Sequence, residues 1–270
     1  MNKVLLIGDI VSHGKIALST MIPILSKMKL NISNLPTSIV SNTFDYKVAE
    51  LCDLTEYMEK TIEIWKDLNF RFDVIVTGFI TNEKQVSLIE KLVSYHDIKP
   101  LIITDPIMGD DGELYHGLPK ELIDYMKVMI THSDIIVPNI TEAALLLDET
   151  PTKTISEETA LNWLKRFREM GLKSAVLTSV MVDGEYYVYG LNMGCTEPFR
   201  IKYEVIPYKF AGTGDIFASF LTGKIAKGYT VEEAARYSAT KLSEILKMES
   251  INSEENVRDV QIERYLDIID

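Results

Sequence analysis

Short, continuous runs of aliphatic and β-branched residues recur along this chain, each followed by an amphipathic stretch. No other feature limits the fold as much. The runs are Val4–Ile7, Ser38–Val40, Val74–Val76, Leu101–Ile103, Ile135–Val137 and Ala175–Leu177. Most are apolar at successive positions rather than alternate ones, the pattern of strands covered on both faces. Helical periodicity fills the intervals at Lys15–Met28, Thr55–Leu68, Glu83–Tyr95, Pro119–Ile130 and Glu157–Met170. Strand and helix in alternation predict a mostly parallel sheet with helices on both faces.

The rhythm changes late in the chain. Glu185–Tyr189 and Lys202–Ile206 read as strands with no helix between them, and Asp183-Gly184 is a hairpin turn signal. This predicts an antiparallel edge on the parallel sheet. Helices return at Asp215–Lys227 and Val231–Lys247, with a further candidate at Val257–Ile268. Gly228 is placed to end one helix, and Thr230 with Glu233 has the spacing of a capping box for the next. Glu249–Asn256 is mostly polar and reads as a loose connection. With no internal repeat and no interdomain linker, residues 1–270 are read as one α/β domain, a size that buries a large core without staples.

Charge narrows the partners. There are 28 Lys and Arg against 40 Asp and Glu, a net charge of −12, which argues against general binding to nucleic acid or anionic membranes. A phosphate compound would need local N–H groups, a few cations or a metal. The two cysteines, Cys52 and Cys195, fit a reducing compartment and form no zinc motif. The first residues carry a short apolar run without the pattern of a signal peptide, and no run is long enough to span a membrane. A cytoplasmic location is expected.

Four loops carry candidate chemistry. "GDIVSHGK" (Gly8–Lys15) imitates a phosphate-binding loop, but its glycines are too far apart and Ile16 stands where a magnesium-holding hydroxyl is needed. It nevertheless follows the first strand, where α/β sheets bind ligands, and His13 lies near that mouth. "TDPIMGDDGELY" (Thr104–Tyr115) gathers Asp105, Asp110, Asp111 and Glu113 after another strand. It is either a solvated acidic turn or a set of oxygen ligands suited to Mg²⁺. In "VPNITEAALLL" (Val137–Leu147), Asn139 or Thr141 can cap a helix. Glu142 in its first turn either complements the helix dipole or holds a metal-bound water. "FAGTGDIFASF" (Phe210–Phe220) sets Gly212, Thr213 and Gly214 before Asp215 at the start of an apolar helix. There Asp215 is a helix N-cap, or a base held beside an anion-binding helix end.

These loops, in this order, resemble the ribokinase-like superfamily, and the pyridoxal kinases within it. The resemblance covers nearly the whole chain and is strongest in "DPIMGDDGELY", "DIIVPNITEAALLL" and "AGTGDIFASFLTG". It implies a three-layer sandwich and ATP-dependent phosphorylation of the 5′-hydroxymethyl group of a B6 vitamer. Asp215 then resembles the base, and the Gly212-Thr213-Gly214 amides the anion hole for the transferring phosphoryl. Asn139, Thr178 and Ser179 fall on the ATP side with the two glycines. Glu142, Asp105 and Asp110 fall near Mg²⁺, with K⁺ as a further expected ion. Asp9, Ile16, Thr43, Phe44 and Phe79 fall on the acceptor side. A homodimer is implied as well.

Departures from the family pattern cluster on the acceptor side. Asp9 replaces the usual Ser, "SNHT" reads Ser41-Asn42-Thr43-Phe44, and Phe79 stands for Tyr. Val137 replaces the Thr before Pro-Asn on the phosphate side. The extra charge of Asp9 suggests an amine-bearing acceptor such as pyridoxamine. Hydroxymethylpyrimidine kinase shares the Asp-Pro and Pro-Asn-x-x-Glu loops but usually has Cys where Asp215 stands, so Asp215 favours the pyridoxal branch. Two other classes are weighed. A non-catalytic vitamer-binding protein on the same fold is opposed by Asp215, Glu142 and Asn139, and a nucleotide-dependent oxidoreductase lacks its dinucleotide fingerprint.

Overall fold

The computed structural model describes residues 2–46, 48–206, 208–252 and 259–269. The strands are β1 (Lys3–Val11), β2 (Asn31–Val40), β3 (Leu51–Asp53), β4 (Val74–Thr77), β5 (Leu101–Thr104), β6 (Gly109–Asp110), β7 (Glu113–Leu114), β8 (Ile135–Ile136), β9 (Ser174–Val182), β10 (Glu185–Leu191) and β11 (Pro198–Tyr203). The α-helices are α1 (Leu18–Lys27), α2 (Thr55–Asp67), α3 (Glu83–Ser94), α4 (Leu122–Thr131), α5 (Ile140–Leu146), α6 (Glu157–Glu169), α7 (Thr213–Ala226) and α8 (Val231–Asn252).

Nine strands form one sheet in the order β11-β10-β9-β8-β5-β4-β1-β2-β3. The six from β9 to β2 pair in parallel. Antiparallel pairs close both edges, β10 and β11 at one and β3 at the other. The first edge is the one expected from sequence, and its turn at Asp183 (φ 52) and Gly184 (φ 80) has the left-handed pair that twists hairpin strands correctly. The second edge has no counterpart in the sequence reading.

Burial explains the continuous apolar runs. Leu5, Ile7, Ile75, Ile102, Ile136 and Leu177 point into a core shared with α2 through α6. Their neighbours Val4, Leu6, Val74, Val76, Ile103, Ile135 and Val176 point into a second core with α1, α7 and α8. Successive strand residues face opposite sides, so both must be apolar when both sides carry helices. The result is a three-layer α/β sandwich, as the resemblance implies. Helix α7 lies deepest: Asp215 through Gly223 are all buried, as a helix between other helices requires.

Several element boundaries move. Helix α1 starts at Leu18, leaving Lys15 to Ala17 as a loop. The last expected strand shifts to Pro198–Tyr203. Glu249–Asn252 is the end of α8 rather than a loose connection, and 253–256 lie outside the described residues. Of the expected helix at Val257–Ile268, residues 259–268 are described, and they hold a 3₁₀ stretch at Ile262–Ile268. The capping box Thr230/Glu233 is present, with each backbone N–H bonded to the other side chain. No helix among the described residues is long and apolar enough to cross a membrane.

Candidate active site

A cavity of about 470 Å³ opens at the carboxyl ends of the parallel strands, beside the start of α7. Open α/β sheets place ligands there because loops from adjacent strands diverge. All fifteen residues that the resemblance places in the site line it: Asp9, Ile16, Thr43, Phe44, Phe79, Asp105, Asp110, Asn139, Glu142, Thr178, Ser179, Gly212, Thr213, Gly214 and Asp215, whereas Asp111, Glu113 and Thr141 do not. Nor does His13. It is exposed and its ring lies 6.3 Å from that of Tyr46.

The α7 end differs in one respect from the expectation. The N-cap is Gly212, at φ 80, and Asp215 is the third residue of the helix. Gly212 is needed twice over, because a Cβ would lie 2.8 Å from the Lys15 carbonyl oxygen as well as straining a left-handed backbone. The first helical bond runs from the Ile216 N–H to the Gly212 oxygen. The N–H groups of Thr213, Gly214 and Asp215 therefore precede the ladder and have no partner within it. They form an anion-attracting end, with the Asp215 carboxylate in the same turn. Across the cavity, Asp105 Oδ2 lies 4.0 Å from where a Cβ of Gly214 would sit.

The β6–β7 hairpin and α5 are tied together. Asn139 caps α5 by accepting the Glu142 N–H at 3.0 Å, and Glu142 Oε2 accepts the Asn139 N–H at 2.9 Å. Such a box stabilises a helix start by about 1 kcal/mol. The amide of Asn139 donates to Gly109 O at 2.8 Å, and Thr141 Oγ1 accepts the Gly112 N–H at 2.9 Å. Capping and site geometry are thus one arrangement. Glu142 Oε1 also accepts the Met108 N–H, at 3.2 Å. Thr178 follows next door, its N–H bonded to Pro138 O at 3.0 Å, and Ser179 holds a left-handed φ of 60.

Four buried carboxylates of the cavity perturb one another. Desolvation, then Asp215, pushes Asp9 up to about 7 against the pull of its own backbone N–H. Desolvation pushes Asp215 up to about 6, opposed by the Ala17 N–H. Desolvation and then Asp215 raise Asp105 well above the ordinary carboxylate range. Glu142 is raised likewise by desolvation and then by Asp105, against the N–H groups of Asn139 and Met108. Asp215 therefore repels both Asp9 and Asp105, and Asp105 in turn repels Glu142.

Hard carboxylate oxygens that repel one another suit a magnesium ion, which would relieve that repulsion. Among the described residues, however, no group of three or more His, Cys, Asp or Glu side chains is arranged to hold a metal. Both Glu142 oxygens already accept a backbone N–H, so each has one lone pair left for a water or an ion. Asp105 is the better direct ligand. Such an ion would keep most of its waters and phosphate oxygens, as Mg²⁺ commonly does.

The sequence reading passed over several lining residues. Lys209 is the basic residue of the wall and pairs with Asp111 at 2.5 Å. Its position just before the Ala-Gly-Thr-Gly loop was the available signal. Tyr115 faces Glu142, Asp110, Asp105 and Asp215, and desolvation followed by these charges raises its hydroxyl. On the opposite wall the rings of Phe44 and Phe79 meet edge to face with centroids 5.9 Å apart. They divide the main cavity from a second, mainly apolar hollow of about 480 Å³.

Comparison with known proteins gives this geometry a family. Residues 32–261 match the family model described as phosphomethylpyrimidine kinase. A candidate phosphomethylpyrimidine kinase from Bacteroides thetaiotaomicron superposes with a TM-score of 0.92 at 29% identity, covering 98% of this chain and 92% of its own. A second crystal form of it, with pyridoxal, gives 0.91 at 29%, covering 99% and 95%. A candidate pyridoxal kinase of Schizosaccharomyces pombe is 27% identical over 232 residues, 82% of this chain and 67% of that one. The pyridoxal kinase of Arabidopsis thaliana is 28% identical over 207 residues, 73% of this chain and 63% of that protein, so less than two thirds of its length is spanned. The resemblance to pyridoxal kinases alone was too narrow: the chain is a ribokinase-like kinase related to both groups. It belongs to the phosphomethylpyrimidine kinase family.

Proposed function

We propose that this chain transfers the γ-phosphoryl group of ATP to the hydroxymethyl oxygen of a small nitrogen heteroaromatic. The observation that carries this reading is Asp215. It is a buried carboxylate in the first turn of α7, beside the backbone N–H groups that precede the helix ladder. The acceptor hydroxyl attacks the γ-phosphorus in line, the bond to the ADP oxygen breaks, and Asp215 takes the hydroxyl proton. The amides of Thr213 and Gly214 face the charge that develops on the phosphoryl oxygens. Asn139, Thr178 and Ser179 border the ATP phosphates, and Lys209 adds a positive charge to that wall. Bound near Asp105, Asp110 and Glu142, Mg²⁺ would neutralise phosphate charge. K⁺ and a homodimer, which rest on the resemblance, and a cytoplasmic location and one kinase unit over 1–270, which rest on the sequence pattern, complete the proposal.

The ring of the acceptor would lie against Phe44 and Phe79, with Ile16, Thr43 and Asp9 around it. Two acceptors fit. The family match supports a hydroxymethylpyrimidine. The curated relatives, and an Asp rather than a Cys at position 215, support a B6 vitamer. Both present a flat ring with a hydroxymethyl arm, and both carry nitrogens that a carboxylate can hydrogen-bond. Coupled ADP release across pyridoxal, pyridoxine, pyridoxamine and hydroxymethylpyrimidine tests the reading. Turnover with at least one of them is expected; turnover with none would overturn it.

Asp9 is the residue we expect to discriminate among them. It is 4% exposed, stands where the β1–β2 register shifts, and faces Asp215 rather than a protein cation. An acceptor with a protonated nitrogen supplies the missing charge. Asp9→Ser should lower the kcat/KM ratio of pyridoxamine to pyridoxal by about tenfold, the scale of a charge-assisted hydrogen bond. An unchanged ratio removes Asp9 from substrate choice.

A further inference from the structure

The C-terminal segment reaches back to the loop between β1 and α1. Asp259 Oδ2 accepts the Lys15 backbone N–H at 2.6 Å, across 244 residues of sequence. The backbone of Asp259 also forms an isolated parallel bridge with Ala211, immediately before Gly212. Lys15 Nζ pairs with Glu263 on the same segment. The other side of the Lys15 loop touches the chemistry: Gly212 packs against Lys15 and Ile16, and the Ala17 N–H faces the Asp215 carboxylate and favours its charged form. Ala17 holds φ 48 and ψ −135, a conformation that a residue with a Cβ adopts only under outside restraint.

We propose that Asp259 is a positioning residue for phosphoryl transfer. Its carboxylate holds Lys15, and through Lys15 it fixes the loop that presents the Ala17 N–H to Asp215 and the Ile16 side chain to the cavity. Its backbone steadies the glycine loop from the other side. Asp259 does not line the cavity and acts only through these neighbours. One residue thus sets the spacing between the base and the anion-binding turn, where displacements of about 1 Å can cost on the order of a hundredfold in rate. The kinetic part of this inference rests on the function proposed above.

Three variants of the full chain test it. Asp259→Ala removes the acceptor of the Lys15 N–H. Asp259→Asn keeps an acceptor oxygen in the same place. Glu263→Gln weakens the exposed ion pair and spares the Asp259–Lys15 bond. At saturating ATP and acceptor, Asp259→Ala should lose about tenfold or more in kcat, with the KM for ATP held within about twofold. Asp259→Asn should regain most of that loss, and Glu263→Gln should match the parent. Backbone amide exchange at residues 15–17 should accelerate in Asp259→Ala alone. A kcat for Asp259→Ala within about twofold of the parent, or an equal loss in Glu263→Gln, overturns the proposal. If the parent phosphorylates none of the acceptors, the kinase reading fails, and exchange at 15–17 still decides the clamp: unchanged exchange in Asp259→Ala overturns it.

Discussion

The two walls of the cavity are held by different forces. On the wall proposed to take the phosphates, backbone groups do the holding: the Asn139/Glu142 box, the Asn139 amide on Gly109 O, and the left-handed Gly212. On the wall proposed to take the acceptor, packing does it: Phe79 is 3% exposed in the core shared with α2 and α3, and Phe44 meets it edge to face. Backbone-directed contacts demand particular residue types at fixed spacings, so they leave a legible motif. Packing accepts any side chain of suitable shape, so the acceptor wall can change while the fold stays. Family membership is accordingly easier to establish for this chain than its acceptor.

That contrast predicts opposite kinetic signatures. The largest effect belongs to Asp215→Asn, which keeps shape but removes the proton acceptor. We expect kcat to fall about a thousandfold with ATP affinity within about twofold. Steady-state kinetics and equilibrium ATP binding check it, and a near-parental kcat refutes the base. Below pH about 6 the parent's kcat should itself decline as Asp215 takes up a proton.

Phe79→Ala should act on the other wall. It opens the main cavity toward the hollow behind it, so the KM for the acceptor should rise about tenfold while kcat changes much less. Thermal unfolding should show a loss of about 3 kcal/mol, the ordinary cost of a Phe deleted from a core. A kcat loss as large as the KM gain would erase the distinction between the walls.

The last effect is on stability rather than on rate. Asp9 is raised to about 7 in the folded chain, above its ordinary value of 3.8. The folded state then binds the proton more tightly than the unfolded state, so this group lowers stability as pH rises from about 4 to 7. Asp9→Asn should remove that slope and raise Tm at pH 8 by an amount worth on the order of 4 kcal/mol, with little change at pH 4. A uniform Tm shift across the range would show that Asp9 is not held in that environment.

The parts of the molecule that were legible in sequence share a cause with those walls. Strands such as Val74–Thr77 are buried on both faces and announce themselves as apolar runs. Asn31–Leu35, the opening half of β2, was missed because its unpaired edge allows Asn, Ser and Asn. β3 has three residues and no periodicity to read. Pro36 lies in β2 beyond the reach of β3, where a missing N–H costs no ladder bond. In the site, Asp105, Asn139 and Asp215 were found because each follows a strand or opens a helix. Asp215 was misplaced by three positions as a cap, since Asp suits either place and only the backbone of Gly212 decides. Lys209 is signalled only by its nearness to the glycine loop, and Asp259 carries no local pattern. Their roles come from partners 98 and 244 residues away.

The central claim is that Asp215 drives transfer from ATP to a heteroaromatic hydroxymethyl group. Label passing from γ-³²P ATP into the acceptor, followed beside ATP occupancy in the parent and in Asp215→Asn, tests it most directly. The account predicts a labelled hydroxymethyl phosphate from the parent and background label from the variant at equal occupancy. Labelled product from the variant at near-parental rate, or ADP from the parent with no labelled acceptor, would contradict it.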